Sequence, residues 1–221
     1  MLKLIPDRDR KKPLRLLCIG AHSDDLEIGC AGTLLSWIDS DPEVEIRWVV
    51  LSAGGKRAAE ARSSAKSLFG KHVKPEIVLG GFRDGFMPSQ YAELKTFFET
   101  LKIGFEPDIV LTHYLGDRHQ DHRLAAELTW NTWRNHLIFE YEIPKYEGDL
   151  AQPNAYVPIA KKMAERKIGL LGRHFSTQRN KDWFVPENFY SIMRLRGIEC
   201  RSPSGMAEAF HVRKWLLQVS R

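Results

Sequence analysis

LRLLCIG, residues 14–20, is a short apolar run that ends in glycine, and the polar stretch AHSDDLE, residues 21–27, follows it directly. An apolar run of this length predicts a strand that is buried on both faces, as in a parallel sheet. The histidine and three carboxylates that follow then lie at the carboxyl end of that strand, which is where open α/β sheets bind their ligands. The stretch therefore predicts both a fold class and the location of the chemistry.

Strands and helices alternate four times outward from this point. The predicted strands are 14–20, 44–51, 76–79 and 108–112, and the predicted helices are 29–38, 57–69, 90–103 and 124–135. Beyond them the pattern is less regular and predicts a strand at 137–143, helices at 157–174 and 188–196, and a closing strand at 209–217. This order is typical of an α/β, Rossmann-like three-layer sandwich with a mostly parallel central sheet. Because no linker or repeat interrupts it, we expect residues 1–221 to form one domain.

The composition excludes several classes of protein. The 221 residues are 43% hydrophobic and 28% charged, which excludes a disordered or collagen-like chain. No stretch approaches the roughly 20 uninterrupted apolar residues of a membrane span, and residues 7–12 put charges where a signal peptide is apolar. Three scattered cysteines favour a cytoplasmic location. The net charge of +5 is interspersed along the chain, so we do not expect a nucleic-acid partner.

The polar stretch after the first predicted strand is costly to bury without a partner. Like charges that are buried together raise each other's pKa or require a cation between them. Capping of the first helix explains one of Asp24 and Asp25, but not both of them together with His22 and Glu27. A metal site is therefore the stronger interpretation of the cluster, although Glu27 alone suits a role in capping backbone amides.

A second cluster, THYLGDRHQDH at residues 112–122, follows the fourth predicted strand. The carboxyl ends of parallel strands lie at one edge of a sheet, so the two clusters can converge on one crevice. Imidazole and carboxylate groups bind zinc, and catalytic zinc sites use three protein ligands and one open position. Taken alone, HQDH at 119–122 also suits a solvated turn; paired with the first cluster, it predicts a shared metal centre. The ligand types do not separate Zn²⁺ from Fe²⁺ or Co²⁺.

Both clusters resemble the motifs of a known family. AHSDDLEIG, residues 21–29, resembles the Ala-His-Pro-Asp-Asp-x-Glu motif of the PIG-L/LmbE-like deacetylases, with Ser23 in place of the usual proline. HQDH resembles their second motif, His-x-Asp-His. Weaker similarity extends to residues 57–60, 84–85, 196–197 and 207–210. The resemblance implies a Rossmann-like, zinc-dependent enzyme that removes the acetyl group from N-acetylglucosamine-type sugars. It also implies a small-molecule substrate, and a homo-oligomer is compatible with it.

The resemblance assigns roles to the residues of the first motif. It implies His22 and Asp25 as metal ligands, together with His122 from the second motif. Asp24 is thereby left free of the metal. A carboxylate beside a metal-activated water can take its proton and later return one to the leaving amine, and we expect Asp24 to have this general base and acid role.

Four further residues are candidates around this centre. His119 lies three residues before the implied ligand and is a candidate for stabilising the oxyanion, and Asp121 for orienting an imidazole. Arg57 is a candidate for binding substrate hydroxyls or a phosphate, because its planar guanidinium makes paired contacts; an ordinary surface arginine is the alternative. Asp84 precedes a glycine and suits either a sugar contact or an ordinary turn.

Other functions compete with sugar deacetylation. A hydrolase of a different, non-sugar amide would use the same metal-water chemistry. A non-catalytic carbohydrate-binding relative is disfavoured, because the expected ligands and the expected base are all present. A nucleotide-binding Rossmann protein is excluded, because residues 20–23 lack the Gly-x-Gly-x-x-Gly loop that lets the backbone approach a pyrophosphate.

Overall fold

The computed structural model describes residues 12–40, 43–71 and 73–216. Within these ranges the strands are β1 Leu14–Gly20, β2 Val44–Val50, β3 Glu76–Leu79, β4 Ile109–His113, β5 Leu137–Tyr141, β6 Ala155–Pro158 and β7 Ala207–His211. The helices are α1 Asp25–Ser40, α2 Gly55–Phe69, α3 Tyr91–Thr100, α4 Gln120–Thr132, α5 Lys161–His174 and α6 Pro186–Glu199. Short 3-10 turns lie at Met87–Gln90 and Ser176–Gln178.

The strands form one sheet in the order β3-β2-β1-β4-β5-β7-β6. Strands β1 to β5 pair in parallel, and β7 runs antiparallel to both β5 and β6. The strand order reverses between β1 and β4, which leaves a crevice at their carboxyl ends where doubly wound sheets bind ligands. The predicted fold class, a mostly parallel α/β sandwich, is confirmed.

Both faces of the central strands are buried, which explains their continuous apolar runs. On β1, Leu16 and Cys18 belong to one apolar core, and Leu17 and Ile19 belong to the other. Helices α1, α2, α5 and α6 contribute to the first core, and α3 and α4 to the second. This alternation holds β1 rigidly in the centre of the molecule, so the residues that follow it are placed with little freedom.

Both motif-bearing helices begin earlier than the apolar pattern predicts. Helix α1 begins at Asp25 rather than at residue 29, and α4 begins at Gln120 rather than at residue 124. The apolar periodicity misses these first turns because the first turn of α4 is entirely polar and that of α1 begins with the polar motif residues Asp25 and Glu27. The motif residues therefore lie at helix N-termini, where free backbone N–H groups and the positive end of the helix dipole favour negative charge.

Other predicted boundaries also differ from the structure. The helix predicted at 157–174 begins only at Lys161, because Val157 lies in β6 and pairs with Glu208 of β7, a long-range contact. The helix predicted at 90–103 ends at Thr100 and is preceded by a 3-10 turn. The closing strand predicted at 209–217 spans Ala207–His211 instead, and residue 217 lies outside the described residues.

In the described ranges, no helix combines the length and the apolar character that crossing a bilayer requires. The strands of these ranges all join the same sheet. That residues 1–221 form a single domain stays a prediction.

Candidate metal centre and active site

The two polar clusters meet at the carboxyl ends of β1 and β4. His22 follows β1, Asp25 begins α1, and His122 lies in the first turn of α4. Nδ1 of His22 is 3.1 Å from Nε2 of His122. The Asp25 carboxylate is 3.4 Å from the same His22 nitrogen and 3.6 Å from the same His122 nitrogen. All three residues are buried, so the crevice brings together donor atoms from stretches about 100 residues apart in the chain.

This spacing suits a tetrahedral divalent cation. Zinc bonds of about 2.0–2.2 Å place neighbouring ligand atoms about 3.3 Å apart. Here the two imidazole nitrogens are 3.1 Å apart, Oδ2 of Asp25 is 3.4 Å from the His22 nitrogen, and Oδ1 of Asp25 is 3.6 Å from the His122 nitrogen. Overlapping groups that include His113, His119, or Asp84 with Asp121 also bring ligand atoms within 4.8 Å of one another. A donor set of imidazoles and carboxylates fits a first-row divalent cation such as zinc, and does not select among them.

A carboxylate lies against the outer nitrogen of each of the two imidazoles. Nδ1 of His122 is 3.0 Å from Oδ2 of Asp117, and Nε2 of His22 is 3.2 Å from Oδ2 of Asp121. Oδ1 of Asp84 is also 3.1 Å from Nε2 of His22. Such partners fix the tautomer and orientation of a metal-binding imidazole. They leave the inner nitrogens, Nδ1 of His22 and Nε2 of His122, directed at one another.

Asp121 connects helix α4 to the loop after β3. Its carboxylate accepts the backbone N–H groups of Gly85 at 2.7 Å and Met87 at 3.1 Å. Burial opposes ionisation, but the hydrogen bonds from His22 and from these N–H groups lower the pKa of Asp121. The sequence predicts that Asp121 orients an imidazole, and the imidazole that it contacts is His22.

Asp25 is surrounded by imidazoles. Its Oδ2 accepts the backbone N–H of His22 at 2.6 Å and lies 3.1 Å from Nε2 of His113. Burial opposes its ionisation, yet the neighbouring His122, His113 and His22 hold the pKa of Asp25 well below its usual value. Asp25 is therefore a permanent anion in the crevice, as a metal ligand must be.

Asp24 has different surroundings from its neighbour. Its Oδ1 is 3.1 Å from Nη2 of Arg57, and Nη1 of the same guanidinium is 2.9 Å from Oδ2 of Asp84. Burial and then the charge of Asp25 raise the pKa of Asp24, while Arg57 lowers it. A buried carboxylate with a raised pKa is a better proton acceptor than an ordinary aspartate.

His119 forms the N-cap of α4. Its Nδ1 accepts the backbone N–H of Asp121 at 3.3 Å, so the neutral imidazole carries its proton on Nε2. Burial and then the charge of His22 lower the pKa of His119, which keeps the ring neutral at pH 7. Its ring centroid lies 4.5 Å from that of His122 and 5.0 Å from that of His22. A neutral imidazole with an N–H beside the cluster can donate a hydrogen bond to a developing oxyanion.

A family model described as PIG-L, GlcNAc-PI de-N-acetylase, matches residues 17–133, more than half of the chain. The chain belongs to the PIG-L family. The predicted resemblance is thereby confirmed, and the matched range contains both motif stretches and the helices that follow them.

Solved structures share this PIG-L fold over nearly the whole chain. The N,N'-diacetylchitobiose deacetylase from Pyrococcus horikoshii is 22% identical with a TM-score of 0.68, covering 92% of this chain and 85% of that one. The 4-carboxy-2-hydroxymuconate hydratase GalB from Pseudomonas putida KT2440 is 16% identical with a TM-score of 0.72, covering 94% and 99%. The zinc-inhibited form of teicoplanin deacetylase Orf2 is 14% identical with a TM-score of 0.67, covering 90% and 97%. Because these structures include a hydratase, the fold alone does not determine the reaction.

Sequence reasoning missed two residues of the candidate site, Asp117 and Lys145. Asp117 lies two residues before HQDH, and its position in the pattern Asp-x-His-x-Asp-His was the available signal. Lys145 follows β5 in a stretch without any motif, and its Nζ reaches Asp117 Oδ2 at 2.9 Å. No local pattern marks it, because the contact joins residues 28 positions apart.

Glu27 lies beneath the PIG-L site and is fully buried. Burial raises the pKa of its carboxyl group to about 8, and neither carboxylate oxygen has a hydrogen-bond partner among the described residues. Within the described residues its side chain therefore caps no backbone amide, which corrects the capping interpretation.

Proposed function

We propose that this chain is a metal-dependent amidase that removes the acetyl group from an N-acetylglucosamine-type amino sugar or from a conjugate of one. The observation that carries the proposal is the convergence of His22, Asp25 and His122 at 3.1–3.6 Å beside a separate buried carboxylate, Asp24. Membership of a family described by a de-N-acetylase supports this reaction type. Deacetylases with the same fold are consistent with it.

The proposed ligands are His22, Asp25 and His122, and the proposed cation is Zn²⁺, with Fe²⁺ or Co²⁺ suited to the same donors. When bound, such a cation polarises an amide carbonyl and lowers the pKa of water towards 7. The carboxylates of Asp117 and Asp121 keep the outer nitrogens of the two imidazoles protonated, so that the inner nitrogens are free to bind.

Asp24 is the proposed general base and acid. It takes a proton from the water that attacks the acetyl carbonyl carbon, and it gives a proton to the amine as the C–N bond breaks, so that acetate and a free amino sugar leave. Its burial and its raised pKa suit both halves of this exchange. Arg57 holds the carboxylate in place through Nη2 at 3.1 Å.

His119 is the proposed donor to the oxyanion, because its Nε2 carries the proton of a neutral ring. Arg57 and Asp84 are the proposed substrate contacts, and Asp84 is the more accessible of the two, with half of its side chain exposed. Because Asp84 also faces His22, a sugar hydroxyl bound there would lie beside the reacting acetamide.

The substrate is best tested with a panel of N-acetyl compounds. Free N-acetylglucosamine, its glycosides, its nucleotide-linked and lipid-linked forms, and simple non-sugar acetamides are incubated with protein loaded with zinc or cobalt. Released primary amine and acetate are measured together. We expect equal amounts of both from one class of sugar conjugate. Release from non-sugar amides alone would support the alternative amidase, and release from no compound would overturn the proposal.

The variant Asp24→Asn tests the proposed mechanism. It should keep its bound metal, measured by elemental analysis, and lose most of its turnover, because the group that moves the proton is gone. Asp39→Asn, an exposed aspartate at the other end of α1, is the matched control and should behave as wild type. If Asp24→Asn instead loses the metal together with its activity, and Asp25→Asn keeps the metal, the proposed roles of Asp24 and Asp25 are reversed.

The proposed partner is a small N-acetyl sugar. The cytoplasmic location, the absence of a nucleic-acid partner and a homo-oligomeric state stay predictions. Size-exclusion chromatography with light scattering measures the last of these directly.

A further inference from the structure

We propose that Lys145 is a positioning residue for the metal centre. Its ammonium group holds the Asp117 carboxylate against His122. The inference rests on the proposed function, since it takes His122 as a ligand. It gives a role to a residue outside both motifs and outside the range that the family model matches. The side chains of Lys145 and Asp117 are 8% and 3% exposed, so the pair is shielded from solvent.

A single oxygen connects the lysine to the imidazole. Oδ2 of Asp117 is 2.9 Å from Nζ of Lys145 and 3.0 Å from Nδ1 of His122. The other oxygen, Oδ1, accepts the backbone N–H of His119 at 2.8 Å. The carboxylate is thus held from both sides, and its orientation decides which nitrogen of His122 carries the proton.

The ammonium group also separates two buried carboxylates. Nζ of Lys145 is 2.8 and 2.7 Å from the two oxygens of Asp149, whose side chain is 6% exposed. Asp149 Oδ2 in turn accepts the backbone N–H of Arg118 at 2.6 Å, in the loop that leads into HQDH. Without the lysine, Asp117 and Asp149 would be like charges facing each other in a buried site. Repulsion would then turn Asp117 away from His122, which removes the acceptor from Nδ1.

The expected consequence is a weaker metal site in a folded protein. Loss of a partner to a ligating imidazole typically weakens metal binding by about 10- to 100-fold. We expect Lys145→Met to weaken zinc binding by about tenfold, because Asp117 is displaced rather than deleted. Lys145→Arg keeps the charge and should restore most of the affinity. Lys95→Met, which removes a lysine paired with Glu99 on α3, is the matched control and should bind zinc as wild type does.

The test measures zinc dissociation constants by competition with a chromophoric chelator, using the full chain without substrate. If Lys145 acts through Asp117, Asp117→Asn should weaken binding at least as much, and adding Lys145→Met to it should cause no further loss. Imidazole ¹⁵N shifts of the metal-free protein provide a second readout. They should give His122 protonated on Nδ1 in wild type and a mixture of tautomers in Lys145→Met.

The outcomes separate the two proposals. Zinc affinity that is unchanged or tighter in Lys145→Met, or a loss that adds fully to that of Asp117→Asn, overturns the role of Lys145 while the metal centre stands. A wild-type protein that binds no zinc overturns the proposed metal centre, and the tautomer of His122 then decides whether Lys145 still positions it. Circular dichroism confirms folding, and Lys145→Gln, which keeps a hydrogen-bond donor without the charge, is used if the methionine variant does not fold.

Discussion

Replacing Lys167 with methionine should destabilise the protein more than most single substitutions do. Lys167 of α5 and Glu208 of β7 form a buried ion pair, with Nζ 2.6 Å from Oε1 and side chains 2% and 3% exposed. The pair is inserted against the middle of α1. Nζ donates to the carbonyl of Ile28 at 2.5 Å, and the two carboxylate oxygens accept the N–H groups of Gly32 at 2.9 Å and Thr33 at 2.7 Å.

The magnitude follows from the charge that is left behind. Lys167→Met removes the ammonium and leaves the Glu208 carboxylate buried beside α1, and removal of one member of a buried pair typically costs about 3–5 kcal/mol of unfolding free energy. Removing both charges in Lys167→Met/Glu208→Leu leaves no unpaired buried charge. The double variant should therefore lose less free energy of unfolding than the two single variants lose together, with a coupling energy between the two sites of about 1–3 kcal/mol.

Urea unfolding followed by circular dichroism measures all of these variants, in excess chelator so that metal binding does not contribute. Lys95→Met is the control, since its partly exposed pair with Glu99 should contribute about 0–1 kcal/mol. A loss below about 1 kcal/mol for Lys167→Met, or additive losses in the double variant, would refute the reasoning that the charge is uncompensated once its partner is gone.

Three further perturbations have defined outcomes. Burial, and then a neighbouring guanidinium, lowers the pKa of His211 from 6.5 to about 4, so the folded protein binds fewer protons than the unfolded chain between these values. The free energy of unfolding should therefore fall as pH drops from about 6.5 to about 4, by about 1–2 kcal/mol after allowing for partial exposure. His211→Phe, which keeps the ring stack on Tyr114 at 3.9 Å, should lack this part of the slope in urea unfolding measured across that pH range. Gly197→Ala should lower the free energy of unfolding by about 1–3 kcal/mol in the same assay, because the new Cβ would lie 2.2 Å from the backbone oxygen of Gly205. An unchanged free energy of unfolding would mean that the turn at Gly205 can move. Arg57→Ala should lower kcat and raise KM with the metal retained, because the guanidinium holds the proposed base, and unchanged kinetics would reduce Arg57 to a surface residue.

The architecture was predictable because the signals for it are local. The apolar run at 14–20 is strand β1 with the predicted bounds, and Gly70 ends α2 at the predicted residue with a φ of 62°. Glu76–Leu79 is likewise a strand with the predicted bounds. These features depend on apolar periodicity and on glycine at a left-handed position, and both are visible in a few adjacent residues.

The helix starts at the two motifs were not predictable from apolar periodicity, for a physical reason. The first turns of α1 and α4 carry Asp25, Asp121 and His122, which are buried although they are polar. Burial of polar groups is compensated there by contacts across the crevice, which no local pattern records. The places where hydrophobicity fails to predict the helix are thus the places where the candidate chemistry lies.

The contacts made by residues outside the motifs were also beyond the reach of sequence reasoning. Lys145 and Lys167 look like ordinary surface lysines in the sequence, yet each side chain is buried against one distant carboxylate, Asp117 at 28 positions and Glu208 at 41 positions along the chain. Their partners become neighbours only when β5 and β7 join the sheet. A buried charge depends on its partner, and the partner is set by topology rather than by spacing.

The division of roles between Asp24 and Asp25 follows from where the helix begins. The backbone carbonyl of Asp24 accepts the first intrahelical hydrogen bond, from the N–H of Ile28 at 3.0 Å, and Asp25 is the first helical residue. The two adjacent carboxylates have different neighbours, since Asp24 contacts Arg57 and Asp25 contacts His113. Asp25 faces the imidazoles, which hold its pKa well below the usual value, whereas the pKa of Asp24 is raised by burial and then by the charge of Asp25. These opposite shifts support the proposed roles, Asp25 as an anionic metal ligand and Asp24 as the group that accepts and returns a proton.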